Sequence, residues 1–174
     1  MVTPEPTSAI VARVPVPPAL ERLRRRWDLA AGTGVPAHVT ILFPFLPAEA
    51  LLAEVRCDLA AIAAAQQPFD VRFERVDRFP GVVYVPPEPA TPFIRLTEAF
   101  AARFPDYPPY GGAFEVIIPH LTVAESADAP LDEIAAAARR ALPFRHHVST
   151  LEVLVESGEG RWRTRWRLPL GVRR

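Results

Sequence analysis

Short stretches in which apolar and polar residues alternate recur along the chain, a pattern typical of β-strands with one face against a core. The alternation is clearest from Phe69 to Phe73, where apolar residues are separated by charged ones. Comparable patterns predict strands at residues 8–14, 38–45, 82–85, 148–156 and 161–168, and one more around residue 120. The stretches 148–156 and 161–168 flank turn-forming residues and therefore predict a hairpin.

Four other stretches carry apolar residues at the spacing of one helix face. In the first, Leu20, Leu23 and Trp27 recur beside an arginine run at residues 24–26, which we expect on a solvent-exposed helix surface. The other helices are predicted to begin near Pro47, Thr91 and Pro130. Proline and threonine are favoured at these positions because the first backbone N–H groups of a helix have no partner within it.

Two of the predicted strands share a short motif of histidine and threonine. His38 and Thr40 are two residues apart, and His120 and Thr122 repeat that spacing 82 residues later. Since alternate side chains of a strand share a face, each histidine projects with its threonine, with about 6.6 Å between their Cα atoms. The chain therefore presents the same pair of polar side chains twice.

The order of the predicted elements indicates an α+β fold, with residues 1–174 forming a single domain of two lobes. Alternating strands favour antiparallel-rich sheets with outer helices over a doubly wound parallel sheet, whose strands are uniformly apolar. Each motif strand is followed by a helix, which hints at an old duplication. We expect the two motifs to face each other across a central cleft.

Composition narrows the possible chemistry. All 20 basic residues are arginine, so mechanisms that need a lysine, such as a lysyl-nucleotide intermediate or a Walker-type phosphate loop, are excluded. The 20 acidic residues balance them, so we expect any nucleic-acid contact to be local. The single Cys57 is expected to be a small buried side chain. With no long apolar run, we expect a cytoplasmic monomer without membrane contact.

Two histidines and two threonines suit attack on a phosphodiester. One imidazole can deprotonate the nucleophile while the other, as imidazolium, protonates the departing oxygen, each transfer contributing about 10²- to 10⁴-fold in rate. The hydroxyls of Thr40 and Thr122 can donate hydrogen bonds to phosphate oxygens. This chemistry needs no metal and no cofactor. A zinc site at the histidines is the alternative, although neither motif has a compact third ligand beside it.

The last predicted hairpin carries arginines that alternate with tryptophans and could suggest an RNA-binding strip. With a four-residue loop, however, Glu156 faces Arg161 and Glu152 faces Arg165, which are favourable cross-strand pairs. We therefore expect an ion-paired solvent face. A contribution of Arg163 or Arg165 to binding a substrate phosphate is the alternative.

At its two His-x-Thr motifs the chain resembles the 2H (two-histidine) phosphoesterases, also called the 2′-5′ RNA ligase-like family. The family signature of two His-x-Thr/Ser-x motifs is matched by residues 38–41 and 120–123. The resemblance implies a bilobal, pseudo-two-fold fold with both motifs in the cleft. It also implies metal-independent chemistry on 2′,3′-cyclic or 2′-5′ phosphodiesters. His38 and His120 are then the catalytic acid and base, in either assignment, and Thr40 and Thr122 bind the phosphate.

The balanced charge favours a small nucleotide cyclic phosphate or a short RNA end as the substrate. Tyr84 and Tyr110 are candidates for stacking on its base, whereas Phe43 and Phe45 are expected to face the core. Two other functions stay open: a non-catalytic nucleotide- or RNA-end-binding module of the same fold, and a 3′-end RNA exonuclease. Retention of both histidines and both threonines favours the enzyme, because binding alone does not need two proton-transfer groups.

Overall fold

A computed structural model of the chain describes residues 7–171. Within these residues the strands are β1 (Ser8–Arg13), β2 (His38–Phe45), β3 (Phe69–Phe73), β4 (Asp77–Phe79), β5 (Val82–Val85), β6 (Leu121–Glu125), β7 (Phe144–Val148), β8 (Thr150–Glu156) and β9 (Trp162–Pro169). The α-helices are α1 (Pro18–Trp27), α2 (Leu29–Gly32), α3 (Ala53–Ala64), α4 (Thr91–Arg103) and α5 (Leu131–Arg139). In this part of the chain, no helix is long and apolar enough to cross a membrane.

The strands form antiparallel sheets, and each motif strand lies at the edge of its own sheet. One sheet has the order β2-β1-β8-β9, another has the order β4-β5-β6, and β3 pairs with β7. Helices α3 and α4 pack on the first sheet, while α1 and α5 pack on the second. The predicted α+β fold of two lobes with outer helices is confirmed.

The four-stranded sheet buries one face completely and leaves the other partly open. Fully enclosed side chains of the buried face and its helices include Ile10, Val39, Ile41, Val153, Leu59, Phe93, Leu96 and Phe100. Each such side chain contributes roughly 1.5–3 kcal/mol to folding through burial. The opposite face carries a smaller apolar cluster, Ala9, Val11 and Leu154 with Val35, Phe43 and Trp162. We call this second surface the open face.

Both motif strands contain a β-bulge directly after the threonine. Thr40 pairs with Val11 but Leu42 pairs with Ile10, which leaves Ile41 without an opposite residue. In β6, Thr122 and Ala124 pair with neighbouring residues of β5 and leave Val123 unopposed. An extra residue of this kind reverses the alternation of the strand beyond it.

The bulge in β2 changes the predicted direction of Phe43. Ile41 and Leu42 are both buried in the main core, which places the next residue on the open face. The prediction that Phe43 faces the core is therefore wrong, because strict alternation does not continue through the bulge. Phe45 lies in the core as predicted.

The helix predicted near Pro47 begins later, and its cysteine points outward. A 3₁₀ turn at Ala48–Ala50 precedes helix α3, which starts at Ala53. Leu59 and Ala63, one helical turn apart, are its buried residues. Cys57 lies two positions before Leu59, nearly on the opposite side of the helix, and is exposed. The prediction of a buried cysteine is therefore wrong.

Two strand boundaries also differ from the sequence pattern. The predicted strand 148–156 is two strands, because Val148 ends β7, which pairs with β3, and the sheet strand β8 starts at Thr150. The pattern did not predict the short strand β4, which joins β5 through a turn at Gly81. Gly81 has a φ of +74°, a backbone conformation that favours glycine.

The C-terminal hairpin forms with a different register from the one predicted. Glu156 pairs with Trp162 and Glu152 pairs with Arg167, because the loop is one residue longer and the pairing shifts again between Val153 and Leu154. The predicted pairs of Glu156 with Arg161 and of Glu152 with Arg165 are therefore wrong. Glu152 nevertheless has ion-pair partners, since its Oε1 lies 3.4 Å from Nε of Arg167.

Candidate active site

The first histidine lies on edge strand β2 with its ring held by the backbone. Nδ1 of His38 lies 2.7 Å from the carbonyl oxygen of Pro36. A carbonyl only accepts hydrogen bonds, so Nδ1 carries the proton in the neutral ring and Nε2 has the open lone pair. That Nε2 lies 3.2 Å from Oγ1 of Thr40, which is placed to donate to it. His38 and Thr40, which are predicted to project from the same strand face, are therefore in contact.

The second histidine is held in the same way. Nδ1 of His120 lies 2.7 Å from the carbonyl oxygen of Ile118, again two residues upstream. His120 directly precedes β6, and Thr122 is the second residue of that strand. In both motifs the backbone thus occupies Nδ1 and leaves Nε2 for chemistry.

Tyr110 connects the two motifs. Its hydroxyl lies beside the hydroxyl of Thr40, and its ring is nearly parallel to that of His120, with 6.4 Å between centroids and 19° between planes. Burial raises the pKa of Tyr110. Its φ of +53° lies in the left-handed region, which costs a residue other than glycine free energy. A conformation of this kind persists where surrounding contacts hold it, as the two motifs do here.

Aromatic rings surround His120 on its other sides. Phe79 and Tyr84 meet its ring edge to face, at centroid distances of 5.2 and 5.5 Å. Tyr84 also stacks on Phe79 at 4.2 Å and is only 4% exposed. It belongs to the wall that orients His120, so its ring has little open surface for the predicted stacking on a base. Of Tyr84 and Tyr110, only Tyr110 therefore remains a candidate for stacking on a base.

Burial makes His38 a weak base in the folded protein. Removal from water lowers the pKa of His38 to about 4, although the hydrogen bond to Pro36 acts in the opposite direction. The positive charges of Arg24 and of protonated His120 lower it further. The ring of His38 is therefore neutral near pH 7.

Arg24 is the buried charge beside both motifs. It is only 1% exposed, so the prediction that it lies on a solvated helix surface is wrong. Its Nε donates to the carbonyl oxygen of Thr122 at 3.3 Å, and one terminal nitrogen donates to the carbonyl oxygen of Val35 at 3.4 Å. One guanidinium thus contacts the second motif and the segment leading into the first.

Asp28 balances the charge of Arg24. Its Oδ2 lies 3.0 Å from a guanidinium nitrogen, and its Oδ1 accepts a hydrogen bond from the backbone of Ala30 at the start of α2. Burial raises the pKa of Asp28 even though Arg24 acts to lower it. Because an unpaired buried charge is costly, Arg24 and Asp28 depend on each other.

A cavity of about 310 Å³ opens beside His38 and Thr40 on the open face. Its other lining residues are Ala9, Val11, Leu29, Ala30, Thr33, Val35, Phe43, Leu154 and Trp162. We call this cavity the apolar slot. Gly34 lies on one side of the slot, close to β9. A Cβ at this position would lie only 2.8 Å from the carbonyl oxygen of Trp162.

The sequence pattern indicates the residues of the two motifs and Tyr110 as parts of the site. It does not indicate Arg24, Phe43 or Trp162. Arg24 follows the apolar spacing of Leu20 and Trp27 on helix α1, and this position was the available signal for its burial. Phe43 reaches the site only through the bulge. The sequence pattern gives Trp162 no role, and only the observed register brings it to the open face.

Comparison with solved structures supports the same fold. TT0787 of Thermus thermophilus aligns with a TM-score of 0.60 and 18% identity, over 97% of this chain and 100% of that one. Escherichia coli LigT aligns in its apo form with a TM-score of 0.55 and 18% identity, over 97% and 99%. LigT complexed with 3′-AMP aligns with a TM-score of 0.53 and 19% identity, over 97% and 100%. A search of curated proteins found no match.

A family comparison gives the relationship at the level of sequence. Residues 12–160 match the model of the 2′-5′ RNA ligase superfamily, and this span includes both His-x-Thr motifs. The family and the fold together indicate a phosphoesterase of the two-histidine type, as the motifs predicted. The chain belongs to the 2′-5′ RNA ligase superfamily.

Proposed function

We propose that the protein is a metal-independent phosphodiesterase that opens 2′,3′-cyclic phosphodiesters of nucleotides or RNA ends by acid–base catalysis with His38 and His120. The observation that carries this proposal is the matched anchoring of the two rings. In each, Nδ1 is bonded to a backbone carbonyl, so Nε2 is the nitrogen available for proton transfer.

His38 is the base and His120 is the acid in this proposal. The lowered pKa of His38 keeps its Nε2 unprotonated near pH 7, ready to accept a proton from water. His120, the other ring whose Nε2 is left open by its backbone anchor, then takes the role of the acid.

The step transfers two protons and exchanges one bond to phosphorus. Water loses a proton to Nε2 of His38 as its oxygen bonds to phosphorus. The bond from phosphorus to one ribose oxygen breaks, and Nε2–H of His120 protonates that oxygen. The product is a nucleoside monophosphate with one free ribose hydroxyl. A ribose hydroxyl in place of water uses the same groups and forms or cleaves a 2′-5′ bond.

Thr40 and Thr122 bind the non-bridging phosphate oxygens. Oγ1 of Thr40 lies 3.2 Å from Nε2 of His38, so a phosphate oxygen that accepts from this hydroxyl lies next to the base. The backbone carbonyl of Thr122 accepts from Arg24, which fixes the second motif against helix α1. Hydrogen bonds to these oxygens stabilise charge as the bonds rearrange.

The substrate that fits best is a nucleotide cyclic phosphate or a short RNA end. The chain has equal numbers of acidic and basic residues and therefore no general attraction for a long polyanion. LigT, which shares the fold, was solved with 3′-AMP, ATP and NADP⁺, all small nucleotides.

A product-resolved assay tests this function. The wild type should open 2′,3′-cyclic nucleotides, and His38→Ala and His120→Ala should each lose at least about 100-fold in kcat. His147→Ala is the matched control, because His147 is exposed and bonded to Asp70. Full activity of either motif variant contradicts the assignment of acid and base. Nucleotide binding by a wild type that turns over no cyclic or 2′-5′ substrate identifies a binding module instead.

A further inference from the structure

A second pocket lies on the open face, on the other side of β1 from the first histidine. It has a volume of about 260 Å³, and polar side chains from three strands line it, among them Arg13 of β1, Thr150 and Glu152 of β8 and Arg167 of β9. We call it the polar pocket. Unlike the apolar slot, it presents two guanidinium groups to solvent, so the ligand that suits it is an anion.

The sheet register places the polar pocket beside the first motif. Arg13 is directly opposite His38 in the pairing of β1 with β2. Opposite residues of an antiparallel pair project on the same face, with about 4.5–5.5 Å between their Cβ atoms. Arg13 also alternates along β1 with Ala9 and Val11, which both lie on the open face. The guanidinium of Arg13 therefore projects from the neighbouring strand, next to the place proposed for the reacting phosphate.

Glu152 holds two arginines at the pocket. Its side chain is only 6% exposed, and its Oε1 lies 3.4 Å from Nε of Arg167 and 3.9 Å from a terminal nitrogen of Arg13. Its Oε2 accepts a hydrogen bond from the hydroxyl of Thr164 at 2.9 Å. A buried carboxylate needs such partners, because an unpaired buried charge is costly. Glu152 thus keeps one arginine on each side of β8.

Both guanidinium groups keep donors for a ligand. The side chain of Arg13 is 53% exposed and that of Arg167 is 68% exposed. A guanidinium carries five N–H donors, and within residues 7–171 Glu152 is the only acceptor paired with either group. Two arginines and one carboxylate also leave an excess of positive charge. Arginine donors of this kind bind phosphate oxygens well, because their fork matches the phosphate geometry.

We propose that the polar pocket binds the phosphate on the 5′ side of the reacting nucleotide, through Arg13 and Arg167. This inference rests on the proposed function, whose substrate it specifies. One ribose separates the two phosphates of such a nucleotide, and one strand spacing separates His38 from Arg13. The favoured substrates therefore carry a second phosphate. They are 5′-phosphorylated nucleotide cyclic phosphates, or RNA ends whose last phosphodiester occupies the pocket.

The test compares three substrates that end in the same adenosine 2′,3′-cyclic phosphate. The first has a free 5′-hydroxyl, the second has a 5′-phosphate, and the third has a preceding adenosine joined by a 3′-5′ phosphodiester. For the wild type, the second phosphate should raise kcat/KM by roughly tenfold or more over the first substrate. An advantage of the second substrate alone identifies a terminal phosphate as the ligand. An advantage of both identifies the RNA backbone.

Two arginine variants assign the effect to the pocket. Arg13→Met and Arg167→Met should each reduce the advantage of the second phosphate to roughly threefold or less. Each variant leaves Glu152 with the other arginine and with Thr164, so its fold should be retained.

The control is Arg56→Met, which removes an exposed arginine of helix α3, on the other face of the sheet. This variant should keep the full advantage. The proposal is overturned by a wild type that gains nothing from a second phosphate, or by an advantage that persists in both pocket variants. An equal loss of the advantage in Arg56→Met also overturns it, because the effect would then come from overall charge.

A binding measurement separates this inference from the proposed function. Calorimetry compares adenosine 3′,5′-bisphosphate with adenosine 3′-monophosphate on the wild type and on Arg167→Met. Binding of the bisphosphate that is roughly tenfold tighter, and that loses this difference in the variant, supports the pocket even if the wild type hydrolyses no cyclic phosphate. Equal affinity of the wild type for the two nucleotides overturns the pocket, whatever the activity.

Discussion

Arg24 donates a hydrogen bond from Nε to the backbone carbonyl of Thr122, at 3.3 Å, across a sequence separation of 98 residues. The same side chain contacts Val35 and Asp28. It therefore joins helix α1 to both halves of the site. Since a displacement of about 1 Å can cost about 100-fold in rate, we expect this contact to affect catalysis without touching the substrate.

Replacing Arg24 should change both the catalytic activity and the pKa of His38. Arg24→Met should lower kcat by about tenfold or more, because the second motif loses its anchor. Removing the positive charge should also raise the pKa of His38, which moves the acid limb of the pH–rate profile to higher pH. Kinetics over a pH series measure both effects.

Two further variants separate positioning by Arg24 from simple stability. Arg24→Met leaves Asp28 buried and unpaired, at a cost of roughly 3–5 kcal/mol, and the double variant with Asp28→Asn should recover part of this. Arg25→Met removes an exposed arginine of the same helix and should change little. An acid limb that stays in place in Arg24→Met excludes the electrostatic role.

The pH dependence of catalysis should reflect the lowered pKa of His38. As the base, His38 must be neutral, so kcat/KM should fall only as the pH drops through about 4. A steady-state profile at constant ionic strength measures this limb. An acid limb near pH 6.5, the usual pKa of histidine, contradicts the assignment of His38 as a base with a lowered pKa.

Folding stability should also depend on His38 in acid. Its folded pKa of about 4 lies below the unfolded value near 6.5, so between these values the unfolded chain binds more protons. Stability should therefore decrease as the pH falls from about 6.5 to about 4, by at most about 3 kcal/mol from this group. Urea unfolding of the wild type and of His38→Gln measures the difference, and an equal slope in both disagrees with it.

Tyr110 should position both motifs through different parts of its side chain. Tyr110→Phe removes the hydroxyl beside Thr40 and keeps the ring on His120, so kcat should fall by about tenfold with little change in stability. Tyr107→Phe is the control, since the ring of Tyr107 packs on Phe45 in the core. Unchanged kinetics in Tyr110→Phe would show that the hydroxyl has no such role.

Activity should be insensitive to metal removal. In residues 7–171, no group of three or more histidine, cysteine, aspartate or glutamate side chains is arranged to hold a metal ion. Hydrolysis should therefore continue at an unchanged rate after dialysis against EDTA. Loss of activity that added zinc restores would revive the zinc alternative.

The sequence predicts those parts of the site that depend on local pattern. His38 and Thr40 share a strand face because alternation is a property of the backbone, and the second motif follows the same rule. The fold class follows in the same way from alternating strands. These predictions do not depend on contacts between residues that are far apart in the sequence.

The missed features all depend on distant partners. Arg24 has local ion pairs with Glu21 and Asp28, but its burial also depends on the carbonyl oxygens of Thr122 and Val35, which nothing within helix α1 specifies. The hairpin register depends on a bulge that the pattern of charges does not reveal. The direction of Phe43 likewise depends on how β2 pairs with β1.

The bulge at Ile41 divides β2 into a part that carries the first motif and a part that carries Phe43. On its N-terminal side the outward residues are His38 and Thr40, and beyond it the outward residue is Phe43. Deleting Ile41 would remove the bulge, keep Leu42 inward and Phe43 outward, and bring Phe43 one residue nearer to Thr40 along the strand. A single extra residue therefore sets how far Phe43 lies from His38 and Thr40 along the strand.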